Sequence, residues 1–498
     1  MATVAETWFS VLGLLVLVLC ILVAHLKSGR KRWRLPPAPP GLPFLGNILE
    51  LNRDQKTFIL LHKWSKIYGD IFRLQIGSMN AVVLSSYDVV KEALLEKPAH
   101  FADRPDTLTG AITSEGGQDI TFSNTGPTWK LHRKIANSCL RNFITGQNLE
   151  EIVRDRTLQM LDIMGEENAA FDPSTHIKLG VYNIVCGMCF NQRYTFDDPE
   201  FKELENTSEQ FVDIFGRGLP EDYFPFLKYI PSKASKDLRH AVQSYLNIIE
   251  KHWHQHNSTY VEGNQRDIMD LVIEIQREAK KKDDSDILEA FTDTRVIQTI
   301  FNLLEGGINV ISLQTLWLIL HLALHQKAQE NIYKEIQEVL GTAVPCGTHR
   351  HSMPYTEAAL SESLRHGTMP ALGLPHTATR DSTLGGFDIP KGTTIIINQW
   401  SLHRDQRHWV DPETFRPERF LNADGKFLPK PPGFLPFSTG TRSCIGEPMT
   451  RLTMFLQLVM LLQRFQILPP PGESLTLEPA DSGIVSMPKP YKIVVKRR

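Results

Sequence analysis

One cysteine near the carboxyl end of the chain stands in a setting suited to chemistry. Residues 437–447 read FSTGTRSCIGE, which places Cys444 among small residues and directly before a pattern typical of a helix. A thiolate at the amino terminus of a helix is stabilised by the helix dipole and by free backbone N–H groups. Glycines let a backbone approach a flat cofactor closely, and Arg442 can pair with a carboxylate. Taken alone, the pattern predicts either such a thiolate or an ordinary buried cysteine.

The same residues resemble the heme-binding loop of the cytochrome P450 superfamily. They match its pattern FxxGxRxCxG at every fixed position. The resemblance implies that the cofactor is heme and that Cys444 supplies the thiolate ligand of its iron. It also implies the fold of that family, which is mainly α with small β sheets.

Two further motifs of the family concern charge. Glu362 and Arg365 match its ExxR pair, and at i and i+3 they share one face of a helix. Residues 417–420 match its PERF element, in which Arg419 is implied to complete a buried triad with that pair. By resemblance, the three residues hold the cysteine loop in place.

A last group is implied to contact the heme propionates. Trp129 and Arg133 match the family's WxxxR motif, which meets a propionate. Two buried carboxylates need several donors. The resemblance assigns this task to Trp129, Arg133, His376 and Arg442.

The central helix departs from the family pattern. Residues 299–312 read TIFNLLEGGINVIS, where the family usually has [A/G]GxxT with an acid before the Thr. Gly306 and Gly307 take the first two places, but Asn309 replaces the acid and Val310 replaces the alcohol. An amide and an alkyl group cannot deliver protons near neutral pH. A monooxygenase must deliver two protons to reduced dioxygen, so this departure bears on the reaction.

Our leading hypothesis from the sequence is therefore a rearrangement of fatty-acid hydroperoxides, as in epoxyalcohol or allene oxide synthases. Such a substrate already contains an O–O bond and needs neither reductant nor protons. Phe301 and Asn302 before the two glycines resemble the helix of plant-type hydroperoxide enzymes, with one extra residue between. We predict Asn302, Gly306, Gly307 and Asn309 as the catalytic positions.

The alternative is a monooxygenase that hydroxylates a lipid, steroid or xenobiotic with electrons from an NADPH-dependent reductase. Water or Ser312 would then supply the protons. The chain resembles animal microsomal members most, particularly the steroid 17-hydroxylase-like and aryl-hydrocarbon-hydroxylase-like groups. The cysteine loop lacks the insertion of plant-type enzymes, and the basic residues His132, Arg133, Lys134 and Arg141 could receive a reductase. A non-catalytic heme or lipid binder is a third hypothesis.

The amino terminus predicts membrane attachment. Residues 7–26 contain no Asp, Glu, Lys or Arg, and 20 helical residues span about 30 Å, the thickness of a bilayer core. Basic residues follow within 27–34, which places the rest of the chain in the cytoplasm. A cleaved signal would need the basic cluster before the apolar run. We expect an anchor over 1–26, a basic and Pro-rich hinge over 27–43 and a catalytic domain over 44–498, at the endoplasmic reticulum membrane.

The remaining patterns outline the domain that positions these residues. Strand-like runs fall within 71–86, within 375–399 and near the carboxyl end, and amphipathic helical patterns cover 150–164, 236–256 and 297–340. Cys186 and Cys189 lie in an apolar stretch that predicts a buried helix. Residues 211–231 predict either a lid or membrane-dipping surface, or an ordinary loop. The net charge of −2 gives no sign of a nucleic-acid partner.

Overall fold

The computed structural model describes residue 13 and residues 33–498, except 54, 55, 147, 231 and 481–484. The predicted anchor therefore lies outside the described residues, apart from Gly13. The described part of the predicted hinge lies against the domain. The backbone N–H of Arg73 donates to the carbonyl of Pro37 at 2.8 Å, and the Asn47 amide donates to the carbonyl of Pro40 at 2.9 Å.

Helices dominate the described residues, as the sequence predicts. They are α1 (Ile48–Arg53), α2 (Thr57–Tyr68), α3 (Tyr87–Lys91), α4 (Leu108–Thr113), α5 (Pro127–Thr145), α6 (Asn148–Met164), α7 (Ser174–Phe190), α8 (Pro199–Arg217), α9 (Pro220–Tyr223), α10 (Lys233–Thr259), α11 (Ile268–Lys282), α12 (Ser285–Ala290), α13 (Asp293–Leu324), α14 (Gln326–Val339), α15 (Pro354–Gly367), α16 (Gln399–Leu402) and α17 (Glu447–Arg464).

The strands of the described residues form three small sheets, one of four strands and two of two strands. They are β1 (Ile71–Ile76), β2 (Met79–Leu84), β3 (His376–Thr377), β4 (Ser382–Leu384), β5 (Phe387–Ile389), β6 (Thr394–Ile397), β7 (Phe465–Leu468) and β8 (Val494–Arg497). The largest sheet has the order β1-β2-β6-β3, in which β2 and β6 are parallel. Its β-branched runs, AVVL in β2 and TIII in β6, fit a pleated and mostly buried surface. This sheet places His376 beside Ile395 in β6.

Helix α13 runs through the core and positions the central motif. The side chain of Thr292 caps its start by accepting from the N–H of Arg295 at 3.4 Å. The helix is apolar on nearly all sides and packs against α7, α10 and α15. Among the described residues it is long and apolar enough to cross a membrane, but 72% of its most apolar window is buried in the fold. It is therefore a core helix.

The predicted continuous pattern over 297–340 is in fact two helices. Helix α13 ends at Leu324 and α14 begins at Gln326, with the non-helical His325 between them. Hydrophobic periodicity continues across the break because both helices bury a face in the same core. The long helix start is also four residues earlier than the pattern predicts.

The buried helix predicted around Cys186 and Cys189 is confirmed, whereas the loop predicted over 211–231 is only partly so. Cys186 and Cys189 are fully buried in α7, as predicted, and burial raises the pKa of both thiols. The prediction of one lid or loop over 211–231 is wrong at its start. Phe211 is buried within α8, which continues to Arg217. The exposed part is a 3₁₀ turn over Pro225–Tyr229, where Phe226 and Tyr229 face solvent.

Candidate active site

Cys444 lies in a tight loop between a 3₁₀ turn (Gly440–Arg442) and α17. Its backbone N–H donates to the carbonyl of Phe437 at 3.0 Å, which closes the loop. Gly440 has a φ of +75° and packs against the carbonyl of Leu94, so a side chain at this position would clash with that backbone. The loop is thus shaped by close backbone packing.

The Cys444 side chain is exposed although Arg442, just before it, is buried. Burial among protein atoms raises the pKa of its thiol, while the backbone N–H groups of Gly446 and Glu447 and the charge of Arg133 act in the opposite direction. The sulfur is thus accessible although protein atoms surround it. The thiol is therefore available to a bound group within the fold.

The predicted charge triad is present. Arg365 makes a two-pronged contact with Glu362, at 2.7 and 2.8 Å, and the Nε of Arg419 lies 3.1 Å from the same carboxylate. The side chains of Glu362, Arg365 and Arg419 are 0%, 0% and 4% exposed. Arg365 also donates to the carbonyl of His403 at 2.7 Å. These bonds join α15 to the chain segment that leads to the cysteine loop.

Two of the four predicted propionate contacts, Arg133 and Arg442, lie beside the indole ring of a third, Trp129. The guanidinium carbon of Arg442 lies 4.0 Å from the ring centre of Trp129, and that of Arg133 lies 5.6 Å from it. Arg133 also donates to the carbonyl of Ser443, next to the cysteine. The fourth residue, His376, is buried, and its pKa falls to about 3 because of burial and then the nearby charge of Arg104. The structure therefore brings all four residues into one region.

Arg104 belongs to the same group and was missed in the sequence. It is buried, and its guanidinium donates to the carbonyls of Leu374 and Pro375 at 2.9 and 2.7 Å. Burial, followed by the charge of Arg442, lowers the pKa of Arg104 to about 9. No motif singled out this arginine, because only the tertiary fold brings residue 104 beside residue 442.

One predicted basic residue is placed elsewhere. His132 is fully buried, and its Nε2 lies 2.7 Å from the hydroxyl of Thr299 in α13. Burial lowers the pKa of His132 to about 3, so the side chain is neutral near pH 7. The prediction that His132 belongs to a basic docking face is wrong. Lys134 and Arg141 on the same helix are exposed.

The two glycines of α13 differ in their surroundings. Gly306 is exposed in the middle of an otherwise buried helix, and a Cβ at this position would meet no atom within 4 Å. A Cβ at Gly307 would instead lie 3.3 Å from the side chain of Val185 in α7. Gly306 thus faces open space inside the fold, whereas Gly307 allows close helix packing.

The two asparagines proposed for hydroperoxide binding are both engaged with protein groups. Asn302 accepts a hydrogen bond from the hydroxyl of Thr121 at 2.7 Å. The amide nitrogen of Asn309 donates to the hydroxyl of Ser208 in α8 at 3.0 Å, and to the carboxyl of Glu305 at 3.1 Å. The structure places the two amides in different contacts and does not bring them together.

Glu305 is the second residue that sequence reasoning missed. It precedes the two glycines and is buried between α13 and its neighbours. Burial raises its pKa to about 8, against the opposing effects of the hydroxyls of Tyr245 and Ser208 and the amide of Asn309. An acidic residue in an apolar stretch was the available signal, but the comparison with the family motif directed attention to position 309.

A large cavity lies along α13. Its volume is about 1130 Å³. Its wall includes Asn309 and Ser312 of α13 and Ser208 of α8, and it continues past Leu372 toward Leu51 in α1. The cavity is large enough for a rigid polycyclic molecule and connects the central helix with the amino-terminal side of the domain.

The donor set fits a heme. Arg104, Arg133 and Arg442 concentrate positive charge, and each of these three arginines has a pKa lowered first by burial. Two buried propionates would neutralise such a cluster. The accessible thiol of Cys444 and the open space at Gly306 suit a flat group whose metal takes a sulfur ligand. These features define the class of heme-thiolate proteins.

Comparisons with known proteins also point to a heme-thiolate protein. A sequence profile described as cytochrome P450 matches residues 36–495. The chain is 32% identical over 485 residues to steroid 17-alpha-hydroxylase/17,20 lyase of Squalus acanthias, covering 97% of this chain and 95% of that protein. It is 33% identical over 480 residues to cytochrome P450 1A1 of Limanda limanda, covering 94% of this chain and 91% of that protein.

A solved structure extends the similarity to three dimensions. The zebrafish cytochrome P450 structure with progesterone matches with a TM-score of 0.79 at 30% identity, covering 88% of this chain and 99% of that chain. The chain therefore belongs to the cytochrome P450 family, and its cofactor is a thiolate-ligated heme. The relatives include hydroxylases and favour the monooxygenase alternative over our leading hypothesis of hydroperoxide rearrangement.

Proposed function

We propose that the protein is a reductase-dependent monooxygenase that hydroxylates a lipophilic, steroid-sized substrate. The observation that carries the proposal is the similarity over 97% of the chain to a protein named as a steroid 17-alpha-hydroxylase. The cavity of about 1130 Å³ beside α13 supports a substrate of this size.

The contacts of Asn309 remove the main argument for hydroperoxide rearrangement. That hypothesis needs an amide that is free to bind the O–O group of a substrate. The amide nitrogen of Asn309 instead donates to Ser208 and Glu305, and the amide oxygen of Asn302 accepts from Thr121. Each amide would have to give up a partly buried hydrogen bond before it could bind a hydroperoxide.

In this function Cys444 would hold the heme iron through its thiolate. When bound, the heme supplies the chemistry that activates dioxygen. Trp129, Arg133, Arg442, His376 and Arg104 would bind the heme propionates. The triad around Glu362 would keep the cysteine loop in position, and the open space at Gly306 would leave room for the heme and a substrate.

Electron supply requires a partner. We propose that an NADPH-dependent reductase docks near the exposed side of α5, where Lys134 and Arg141 present positive charge. Positive charges that face an acidic partner accelerate association and make it sensitive to salt. Arg133 on the same helix donates to the carbonyl next to Cys444, so this surface is close to the thiolate.

We also propose that the protein is attached to the endoplasmic reticulum membrane through residues 7–26. Exposed apolar side chains in the described part, among them Phe44, Phe226 and Tyr229, support contact with lipid. The segments that carry them are linked, because the N–H of Gly77 donates to the carbonyl of Leu45 and that of Ser78 donates to the carbonyl of Tyr223.

The test compares two assays on one preparation. The purified protein is incubated with a panel of steroids in the presence of reductase and NADPH, and separately with a fatty-acid hydroperoxide alone. We expect hydroxylated product only when reductase and NADPH are present. Rapid conversion of the hydroperoxide without reductant, with no steroid product, would reverse the order of the two hypotheses.

A further inference from the structure

One face of α13 forms part of the cavity wall. Ile308, Ser312 and Leu316 follow one another one helical turn apart, so their side chains lie in a row, and all three line the cavity. Asn309 and Leu313, which also line the cavity, lie beside this row. Ser312 therefore stands between two large apolar side chains on a wall that a substrate would contact.

The hydroxyl of Ser312 has no hydrogen-bond partner among the described residues, although the residue is only 5% exposed. A serine or threonine inside a helix can donate to the carbonyl one turn earlier. Thr299 in the same helix does so, since its hydroxyl donates to the carbonyl of Arg295 at 2.8 Å. The hydroxyl of Thr315 lies 3.5 Å from Oε1 of Gln457 in α17. Of these three hydroxyl groups in α13, that of Ser312 is the one without a protein partner.

The polar side chains one turn before Ser312 are bonded to one another. The amide nitrogen of Asn309 donates to the hydroxyl of Ser208 at 3.0 Å and to the carboxyl of Glu305 at 3.1 Å. The hydroxyl of Ser208 donates in turn to the amide oxygen of Asn309 at 3.3 Å. In the described part of the chain, the Ser312 hydroxyl is thus the polar side-chain group that the cavity-lining face of α13 leaves unbonded.

An unpaired hydroxyl in an apolar wall discriminates between substrates. Water that enters the cavity can bond to the hydroxyl before a substrate arrives. A hydrocarbon surface that displaces this water leaves the hydroxyl without a partner, which opposes binding. A substrate oxygen at the same place restores the lost bond. The wall therefore favours a molecule that is mostly apolar but carries an oxygen atom where it passes Ser312.

The same cavity extends to the region assigned to the heme propionates. Arg104, Leu374 and Pro375 also line it, and Arg104 donates to the carbonyls of the other two residues. A long molecule in the cavity can therefore contact Ser312 with one part while another part lies toward the heme. A hydrogen bond at Ser312 would fix which part is which.

We propose that Ser312 binds an oxygen atom of the substrate by donating its hydroxyl hydrogen. The inference rests on the proposed function and narrows its substrate class to polycyclic lipids that carry a carbonyl or hydroxyl oxygen. Ser312 is a binding residue in this role. Its hydrogen bond orients the substrate, and no covalent bond forms or breaks at the serine.

The test measures binding of three probes to the heme-loaded protein. They are androstane, which has no oxygen, and two monoketones of androstane that carry the carbonyl at opposite ends of the ring system. Ser312→Ala removes the hydroxyl, and Ser312→Thr keeps one. Ser85→Ala is the matched control, because the Ser85 hydroxyl is also buried and unpartnered but lies outside the cavity wall. Dissociation constants come from the change in heme absorbance on titration, directly or by competition.

We expect the wild type to bind at least one monoketone more tightly than androstane. Ser312→Ala should weaken binding of that ketone about tenfold, as the loss of one buried hydrogen bond predicts, without weakening the binding of androstane. Ser312→Thr should recover part of the ketone affinity, and Ser85→Ala should match the wild type. Unchanged ketone binding in Ser312→Ala would overturn the inference. Equal losses for ketone and androstane would mean a change of cavity shape and would overturn it as well.

Binding and turnover separate this inference from the proposed function. The titrations need neither reductase nor NADPH. Ketone binding that depends on Ser312, without any NADPH-dependent product, would support the inference and count against the proposed function. A wild type that binds none of the three probes would overturn the inference, whereas reductase-dependent hydroxylation of another lipid would still support the proposed function.

Discussion

The cysteine-loop region and the α13 region relate to their motifs in different ways. Around Cys444, the motif residues make the contacts that their types predict, as Glu362 does with Arg365 and Arg419. Along α13, the glycines occupy the motif positions, whereas the acid lies at Glu305, one turn before its usual place.

The difference follows from the physics of the two regions. A buried ion pair loses about 3–5 kcal/mol when one partner is removed, so the spacing of the triad is strongly constrained. A proton donor needs only a suitable pKa and a path to the reactants. Glu305, one turn before the acid position of the motif, is buried beside side chains of α7, α8 and α10, and burial raises its pKa to about 8.

The first prediction tests the thiolate of the cysteine-loop region. Cys444→Ala removes the sulfur ligand that we propose for the heme iron. Hydroxylation should be abolished, and the reduced, carbon-monoxide-bound protein should lose the absorption band of a thiolate-ligated heme. Optical spectra of the variant check this. Cys346→Ala, which changes a partly buried cysteine outside the loop, should keep the band. Persistence of the band in Cys444→Ala would contradict the assignment.

The second prediction tests the constraint on the cysteine-loop region. Glu362→Ala leaves Arg365 and Arg419 buried without their carboxylate, which should lower the free energy of unfolding by about 3–5 kcal/mol. We expect low heme content and a much lower urea midpoint. Glu418→Ala, at an exposed carboxylate in the same segment, is the control. Similar small losses in both variants would show that the triad does not stabilise the loop.

The third prediction tests burial of the acid in the α13 region. The pKa of Glu305 is about 8 in the folded protein, against an ordinary 4.5. Between these values only the folded state keeps the proton, so this group alone makes stability fall with rising pH, by about 1.4 kcal/mol per pH unit. Between pH 5 and pH 8, the free energy of unfolding of the wild type should therefore fall relative to that of Glu305→Gln by about 1.4 kcal/mol per pH unit, as denaturant unfolding measures it. Parallel curves would mean that Glu305 is not buried as described.

The fourth prediction concerns Arg104, which joins the propionate region without belonging to a motif. Loss of one charged donor should weaken heme retention by about 1.5–3 kcal/mol. We expect faster heme transfer from Arg104→Ala to a heme acceptor, while the thiolate spectrum of the remaining heme is unchanged. Arg380→Ala, at an exposed arginine just after β3, should retain heme like the wild type. Equal rates for the two variants would remove Arg104 from the site.

Much of the fold could be predicted from periodicity. The alternation of IFRLQI and the β-branched run TIII predict strands that form β1 and β6, and the helix over 150–164 lies within α6. The break at His325 could not be predicted, because both helices bury apolar faces in one core and the periodicity continues through it. The buried position of His132 was likewise missed, since a basic residue in a basic run looks exposed.

The sequence by itself determined the family, the heme and the positions of Cys444 and Glu362, because these depend on residue types at fixed spacings along the chain. Only the tertiary structure decided the partners of Asn309, the place of Arg104 and the state of Glu305. The pKa of a carboxyl is set by the low-polarity surroundings that α7, α8 and α10 provide together. Such surroundings come from segments far apart in the chain, so no local pattern could reveal them.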